Sequence, residues 1–290
     1  MKNKNIFIKS AIVIILALIF ITLFGGQQYI QLMLSTKYLL YLVAAATAII
    51  LLNKKRVSTL VRIISLAILF IVFGVLTGLH PSPICALTKP FTAYQIMGFI
   101  PPPMIIMAGA MILFTVIGNK IFCGWICPLG CLQEVLHTLS SVTKKFKFPF
   151  IITNSVRFSL LAVFITVVLF FSVNIFNWFN PFELFHWRPN KYILIVTSII
   201  IVASLFYYRP FCQFLCPAGF ITWIFEHTSL FRIHKSEDKC TYCTQCINES
   251  PCNAIHSIIN NHTITPDCYA CGKCIESCPE NALSFSLKNQ

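Results

Sequence analysis

Residues 120–130, KIFCGWICPLG, align without a gap with residues 209–219, RPFCQFLCPAG. Each segment follows an apolar run, and each run is preceded by a Pro-Phe pair, in KPF at 89–91 and in NPF at 180–182. Two copies of one hairpin unit are therefore expected, over 60–130 and 157–219, each ending in a C-x3-C-P motif. The motifs are Cys123, Cys127, Pro128 and Cys212, Cys216, Pro217. Spacing i, i+4 places both thiols of a motif on one face of a helical turn. The proline disrupts the helix there and frees backbone groups. If the repeat brings the two turns together, Cys123, Cys127, Cys212 and Cys216 present four thiolates in one place, a candidate third metal centre of iron–sulfur type at the inner membrane surface. Iron-free redox dithiols and two merely buried cysteine pairs are the competing readings.

The chain around the repeat is too apolar for water. Of its 290 residues 57% are hydrophobic and 11% charged, with a mean hydropathy of +0.78, whereas soluble domains carry about 25% charged residues. Apolar stretches lie near 6–24, 38–52, 60–79, 104–122, 157–177 and 192–208, and a bilayer core of ~30 Å needs about 20 such residues. KNKNIFIK at 2–9 resembles a signal-peptide start, but FGGQQ at 24–28 is a poor cleavage site, so an uncleaved anchor is expected.

The charge is divided along the chain. Residues 1–236 hold 19 Lys+Arg against Glu134, Glu183 and Glu226, a balance of +16, while residues 237–290 come to −3. The basic residues flank apolar runs, which is the positive-inside pattern and not a nucleic-acid footprint. With the N-terminus inside, 13 cations including Arg62, Lys120, Arg157 and Arg209 fall on the inner side; only Lys37, Lys89, Arg188 and Lys191 fall outside. Both termini are then cytoplasmic. Internal symmetry also occurs in transporters, but the absence of charges at mid-depth argues against a transport path.

Beyond the repeat lie CTYCTQCINESPC (240–252) and CYACGKCIESCP (268–279). C-x2-C-x2-C supplies three thiolates to a cubane, and the fourth comes from the other run. The sets are Cys240, Cys243, Cys246 with Cys278, and Cys268, Cys271, Cys274 with Cys252. The first run departs from the pattern, since five residues separate Cys246 from Cys252 and Pro251 precedes the cysteine. Zinc sites use paired C-x2-C or Cys/His sets, and disulfides are disfavoured in a reducing cytoplasm.

The tail, over 237–287, resembles bacterial-type two-cluster ferredoxins. With its two C-x3-C-P motifs, most of the chain is similar to the NapH-type membrane ferredoxins, to the ferredoxin-bearing membrane part of NosR regulators and to MauN proteins. It has two more N-terminal spans than their four-span core and lacks the periplasmic flavin-binding domain of NosR-type members. The six apolar stretches predict an all-α polytopic membrane domain of about six helices (1–236), which the resemblance places in a bacterial inner membrane. A small α+β 2[4Fe-4S] ferredoxin domain (237–290) follows in the cytoplasm. The resemblance implies electron transfer between the quinone pool (menaquinone or ubiquinone) and a partner redox protein, ferredoxin-like or a cytochrome, as a subunit of a quinol dehydrogenase. An electron-delivering assembly or regulatory factor is the alternative; a membrane-tethered ferredoxin ranks lower.

Quinone-site candidates are His80, Glu183 and His186, in outer loops at 78–90 and 180–190 that also carry Lys89 and Arg188. Trp178 and Trp187 suit an interfacial belt. On the inner side Glu134, His137, Glu226 and His227 either border a second quinone site or face solvent. Cys85 and Cys131 have no counterpart in the repeat and are expected to be structural.

Overall fold

The computed structural model describes residues 36–76, 82–142, 146–186, 190–262 and 265–287. The apolar stretch 6–24, His80, Trp187 and Arg188 lie outside the described residues. The N-terminal part is helical: α1 (Thr36–Asn53), α2 (Thr59–Phe70, continued as a π-helical turn over Ile71–Leu76), α3 (Pro83–Met97), α4 (Pro102–Gly118), α5 (Pro128–Leu139), α6 (Phe150–Phe171), α7 (Phe176–Phe179), α8 (Lys191–Phe206) and α9 (Pro217–Glu226). Side-chain caps set several starts, with Ser58, Ser82 and Asn190 each accepting a backbone N–H of the first turn of α2, α3 and α8.

Two helical stretches, Thr59–Leu76 and Phe150–Phe171, are long and apolar enough to cross a membrane, and only 22% of each is buried. A soluble core helix would be covered. Here Ile64, Ile68, Phe170 and Phe171 are exposed, an apolar surface that calls for a non-aqueous neighbour. α1, α4 and α8 are apolar but shorter. The sequence places outer loops around both Pro-Phe pairs, and the structure corrects this. Residues 83–97 form α3, which packs against α4, α6 and α9, with Phe91 6.1 Å from Phe164. Residues 181–186 form a 3-10 turn whose Phe182 reaches Phe211 at 6.4 Å and whose Phe185 lies against Gly74. Both segments are therefore regular structure packed on the helical part, with Tyr94, Ile96 and Met97 of α3 left exposed.

The ferredoxin part is built on a two-stranded antiparallel sheet, β1 (Phe231–Lys235) and β2 (Leu283–Leu287). Strand alternation buries Phe231 and Ile233 on β1 and Leu283 and Phe285 on β2. β1 lies before residue 237, so the sheet draws on chain N-terminal to the ferredoxin boundary read from sequence. Short helices Gln245–Glu249, Ala254–Ile259 and Lys273–Glu276 complete it. It sits directly on the helical part: Glu276 accepts the Thr59 N–H at 2.8 Å, Asn253 Nδ2 donates to the Phe148 carbonyl at 2.8 Å and Trp223 Nε1 to that of Thr265 at 3.0 Å.

Phe285 stacks on Phe231 at 5.9 Å and is 1% exposed. Phe285→Ala is expected to cost about 3 kcal/mol, read as a lower urea midpoint for protease resistance of residues 231–287. An unchanged midpoint would show that the strand pair does not hold this part together.

Candidate metal centres

The two tail runs share one backbone path. Tyr242 and Ala270, each just before the middle cysteine, have φ of 53° and 49°, and Thr244 and Gly272, just after it, have 61° and 80°. Left-handed residues on both sides of a cysteine curl the run about a common centre and turn successive N–H groups inward. For a non-glycine residue this conformation is costly and marks a constrained site. Cys246 lies within electrostatic reach of Cys278, Cys243 and Cys240; all four line one cavity of about 200 Å³ with Ile247 and Leu283. Cys274 lies within electrostatic reach of Cys271, Cys268 and Cys252, and also of Cys246, and burial pushes the Cys252 thiol up to about 12. The structure thus gathers the tail cysteines closely around two adjacent centres. Among the described residues no three His, Cys, Asp or Glu close tightly enough to hold a single ion, whereas a cubane spaces its thiolates more widely than the ligands of one zinc. Donor type, cavity and backbone path fit two 4Fe-4S clusters.

The C-x3-C turns differ from a simple helical turn. Phe122–Ile126 and Phe211–Leu215 are π-helical, and the N–H groups of Cys127 and Cys216 reach back five residues to the carbonyls of Phe122 and Phe211. Cys127 and Cys216 then leave helical geometry, with ψ of 114° and 111°, and precede α5 and α9. Pro128 and Pro217 open those helices at a position where the missing N–H costs nothing, so the prolines start helices and do not break them. Lys120 and Arg209, which correspond in the repeat, both sit in the left-handed region, at φ of 60° and 52°. The four thiols meet: Cys127 and Cys216 are each within electrostatic reach of Cys212 and Cys123. Burial raises Cys123 to about 11 against the pull of Lys120 and Arg209. Gln133, 1% exposed and absent from the sequence-based candidates, donates Nε2 to Cys212 Sγ at 3.6 Å and accepts the Phe211 N–H at 2.9 Å.

Each turn is held by cations from the other copy and from the preceding long helix. Arg209 donates to the Cys123 and Gly124 carbonyls, joined at Gly124 by Arg62 at 2.8 Å. Reciprocally, Lys120 donates to the Gly219 carbonyl at 3.2 Å, and Arg157 to that of Cys212 at 3.5 Å. The acids follow the same plan. Glu134 binds Arg62 at 2.7 Å and Arg209 at 2.6 Å and accepts the Tyr208 hydroxyl at 2.8 Å; Asp267 pairs with Lys120 and, at 2.8 Å, with Arg157. Burial alone would raise the Glu134 carboxyl, but the two guanidinium groups hold it at about 2. Glu226 accepts the Cys268 N–H at 2.9 Å; burial raises it to about 8, with Lys120 opposing and Asp267 assisting. Glu134, His137 and Glu226 are therefore buried, and His227 is half-buried. Of the two alternatives read from sequence, the one in which they face solvent fails for Glu134, His137 and Glu226.

The second tail run docks on the first turn. Trp125 Nε1 donates to the Ala270 carbonyl at 2.9 Å, and a Cβ on Gly124 would overlap the Tyr269 carbonyl oxygen, so only glycine permits this approach. Tyr269 packs with Tyr208 and Cys212, against Cys123 and Cys252, and Arg209 stacks on its ring at 4.7 Å. One side chain thus touches both the cysteines of the repeat and the tail. Cys131 is fully buried, its thiol donating to the Trp125 carbonyl at 3.3 Å, and Cys85 is buried at the start of α3. Glu183 lies in the 3-10 turn Pro181–His186, and His186 ends that turn.

A family described as "4Fe-4S binding domain" matches residues 100–149 and 190–235. These are the two copies of the C-x3-C-P repeat, about a third of the chain. YccM of Escherichia coli is 27% identical over 49% of this chain and 44% of its own. The ferredoxin-type protein NapH of Haemophilus influenzae is 26% identical over 52% of this chain and 55% of its own, and the methylamine utilization ferredoxin-type protein MauN of Methylorubrum extorquens 25% over 55% and 58%. The chain spans about half the length of these relatives. No solved structure matches it. Motifs and matches together make the chain similar to the NapH-type ferredoxins, at low identity.

Two outcomes test the seam. Gly124→Ala is expected to open residues 265–273 to protease, whereas Gly109→Ala, whose Cβ meets nothing within 4 Å, changes nothing. Equal behaviour of the two would refute the docking. Because the folded Glu134 carboxyl lies below its ordinary 4.5, at about 2, its stabilisation is complete above the ordinary value. It is lost as pH falls toward the lower one. Glu134→Gln is expected to cost about 3 kcal/mol at neutral pH and to flatten the loss of Trp fluorescence structure between those two pH values.

Proposed function

We propose that this chain is a membrane-bound iron–sulfur electron-transfer protein that passes electrons between the quinone pool and a partner redox protein. The observation that carries the reading is the packing of the second tail run onto the C-x3-C turn, with Tyr269 against Cys212, Cys123 and Cys252. Cys240, Cys243, Cys246 and Cys278 would hold one 4Fe-4S cluster, and Cys268, Cys271, Cys274 and Cys252 the other. Cys123, Cys127, Cys212 and Cys216 would hold a third iron–sulfur centre, a reading supported by the 4Fe-4S family match on those two segments and not on the tail. Bound clusters supply one-electron redox chemistry, tuned by burial and by hydrogen bonds to sulfur.

The protein's own residues make the environment. Gln133 fixes Cys212 Sγ. Tyr269 and Trp125 fill the space between the two parts and exclude water. Arg62, Lys120, Arg157 and Arg209 supply positive charge beside the thiolates. Cys243 and Tyr242 are exposed, which offers the first run to a partner. Exposed apolar helix faces and the 13-to-four distribution of cations support a multi-pass placement in the inner membrane with the ferredoxin part in the cytoplasm.

The test is EPR of anaerobically purified protein, reduced by a menaquinol analogue and separately by dithionite. Reduced-cluster signals with the quinol analogue are the expected result. Signals with dithionite alone would end the quinol reading and favour delivery of electrons from the cytoplasm to an assembly or regulatory task.

A further inference from the structure

We infer that the cavity between α2, α5 and the ferredoxin part is the quinone seat, on the inner side and not in the outer segments. This rests on the quinone reading above and names its site. The cavity measures about 430 Å³, within the range of small-molecule pockets. Its walls include Ile63 and Leu66 of α2, whose neighbours Leu60 and Ile64 are exposed apolar residues on the same long helix. An isoprenoid tail would leave along that face. At the opposite wall stands Cys271 of the second tail run.

Two residues lining the cavity carry a buried polar atom that lacks a hydrogen-bond partner among the described residues, Arg62 Nη1 and Ser250 Oγ, each closed to water and reached by a ligand through a shift of the side chain. The residues are 6% and 1% exposed. Buried donors of this kind are costly unless a ligand satisfies them. After such a shift each would donate to an acceptor oxygen of a ligand in the cavity.

The charges lining the cavity select for a neutral ligand. Arg62, Lys147 and Lys273 face Glu134, Glu249 and Glu276, three cations against three acids. Arg62 is paired with Glu134 at 2.7 Å and Lys273 with Glu276 at 3.2 Å. A phosphate headgroup would have to displace those acids, whereas a neutral dicarbonyl ring needs only the two spare donors.

The experiment uses the full chain in nanodiscs with a photoreactive azido-naphthoquinone carrying a decyl tail, mapped by peptide mass spectrometry and titrated for affinity. Saturable labelling within residues 57–66, 134–142 or 248–251 is expected. Ser250→Ala should weaken binding about five-fold, the worth of one neutral hydrogen bond. Val142→Trp should abolish binding by filling the cavity, with unchanged protease resistance as the control for folding. Saturable labelling at residues 176–186 overturns this site and leaves the quinone reading standing. Labelling displaced by phosphatidylglycerol but not by unlabelled quinone makes the cavity a lipid seat and also overturns it. No saturable labelling anywhere overturns both.

Discussion

Glu134 and Asp267 are each buried between two cations, and the remaining architecture depends on those contacts. An isolated buried charge is prohibitively costly, and removing one partner of a buried pair leaves the other uncompensated. Glu134 joins Arg62 of α2 to Arg209 of the second cysteine turn, and Asp267 joins Lys120 of the first turn to Arg157 of α6. Both repeat copies, both long apolar helices and the tail are thus tied into one unit. The ties bear on the tail cysteines as well. Asp267 immediately precedes Cys268, so the pair that locks the tail also fixes the position of the second cysteine run.

The repeat explains why this seam is double. Lys120 and Arg209 occupy equivalent left-handed positions at the entrance of equivalent π turns, and each donates to carbonyls of the other copy. Gly130 and Gly219, also equivalent, let the arginines Arg209 and Arg157 pass beside the carbonyls of Cys123 and Cys212. Reciprocal exchange of cations makes neither turn complete without the other. It also gathers Cys123, Cys127, Cys212 and Cys216 at the junction.

Much of this was legible in sequence where one short stretch carries the information. The C-x2-C-x2-C spacing marked the two tail runs, and the aligned C-x3-C-P segments marked the two turns that the structure places side by side. Interactions across long separations were not legible. Arg62, Arg157, Arg209 and Lys120 read as positive flanks of apolar stretches, yet their partners lie 72 to 147 residues away in Glu134 and Asp267. The π winding of the cysteine turns was missed because i, i+4 assumes an α-helix, and nothing local to FCGWIC announces the left-handed Lys120 before it. The Pro-Phe segments read as loops because proline usually marks one. Pro83 instead opens α3, and Pro90 lies inside it. Gln133 gave no signal, since only the fold places it beside Cys212.

The central claim is that the membrane-edge cysteines are a metal centre coupled to the tail, and not spare thiols. Iron and acid-labile sulfide per chain test it most directly, on anaerobically purified full-length protein beside Cys123→Ser and Cys212→Ser variants. Two tail clusters account for about eight irons. About ten to twelve in the native chain, falling to about eight in each variant with the tail EPR signals retained, is the predicted result. About eight irons in all three proteins would contradict the account and leave Cys123, Cys127, Cys212 and Cys216 as thiols.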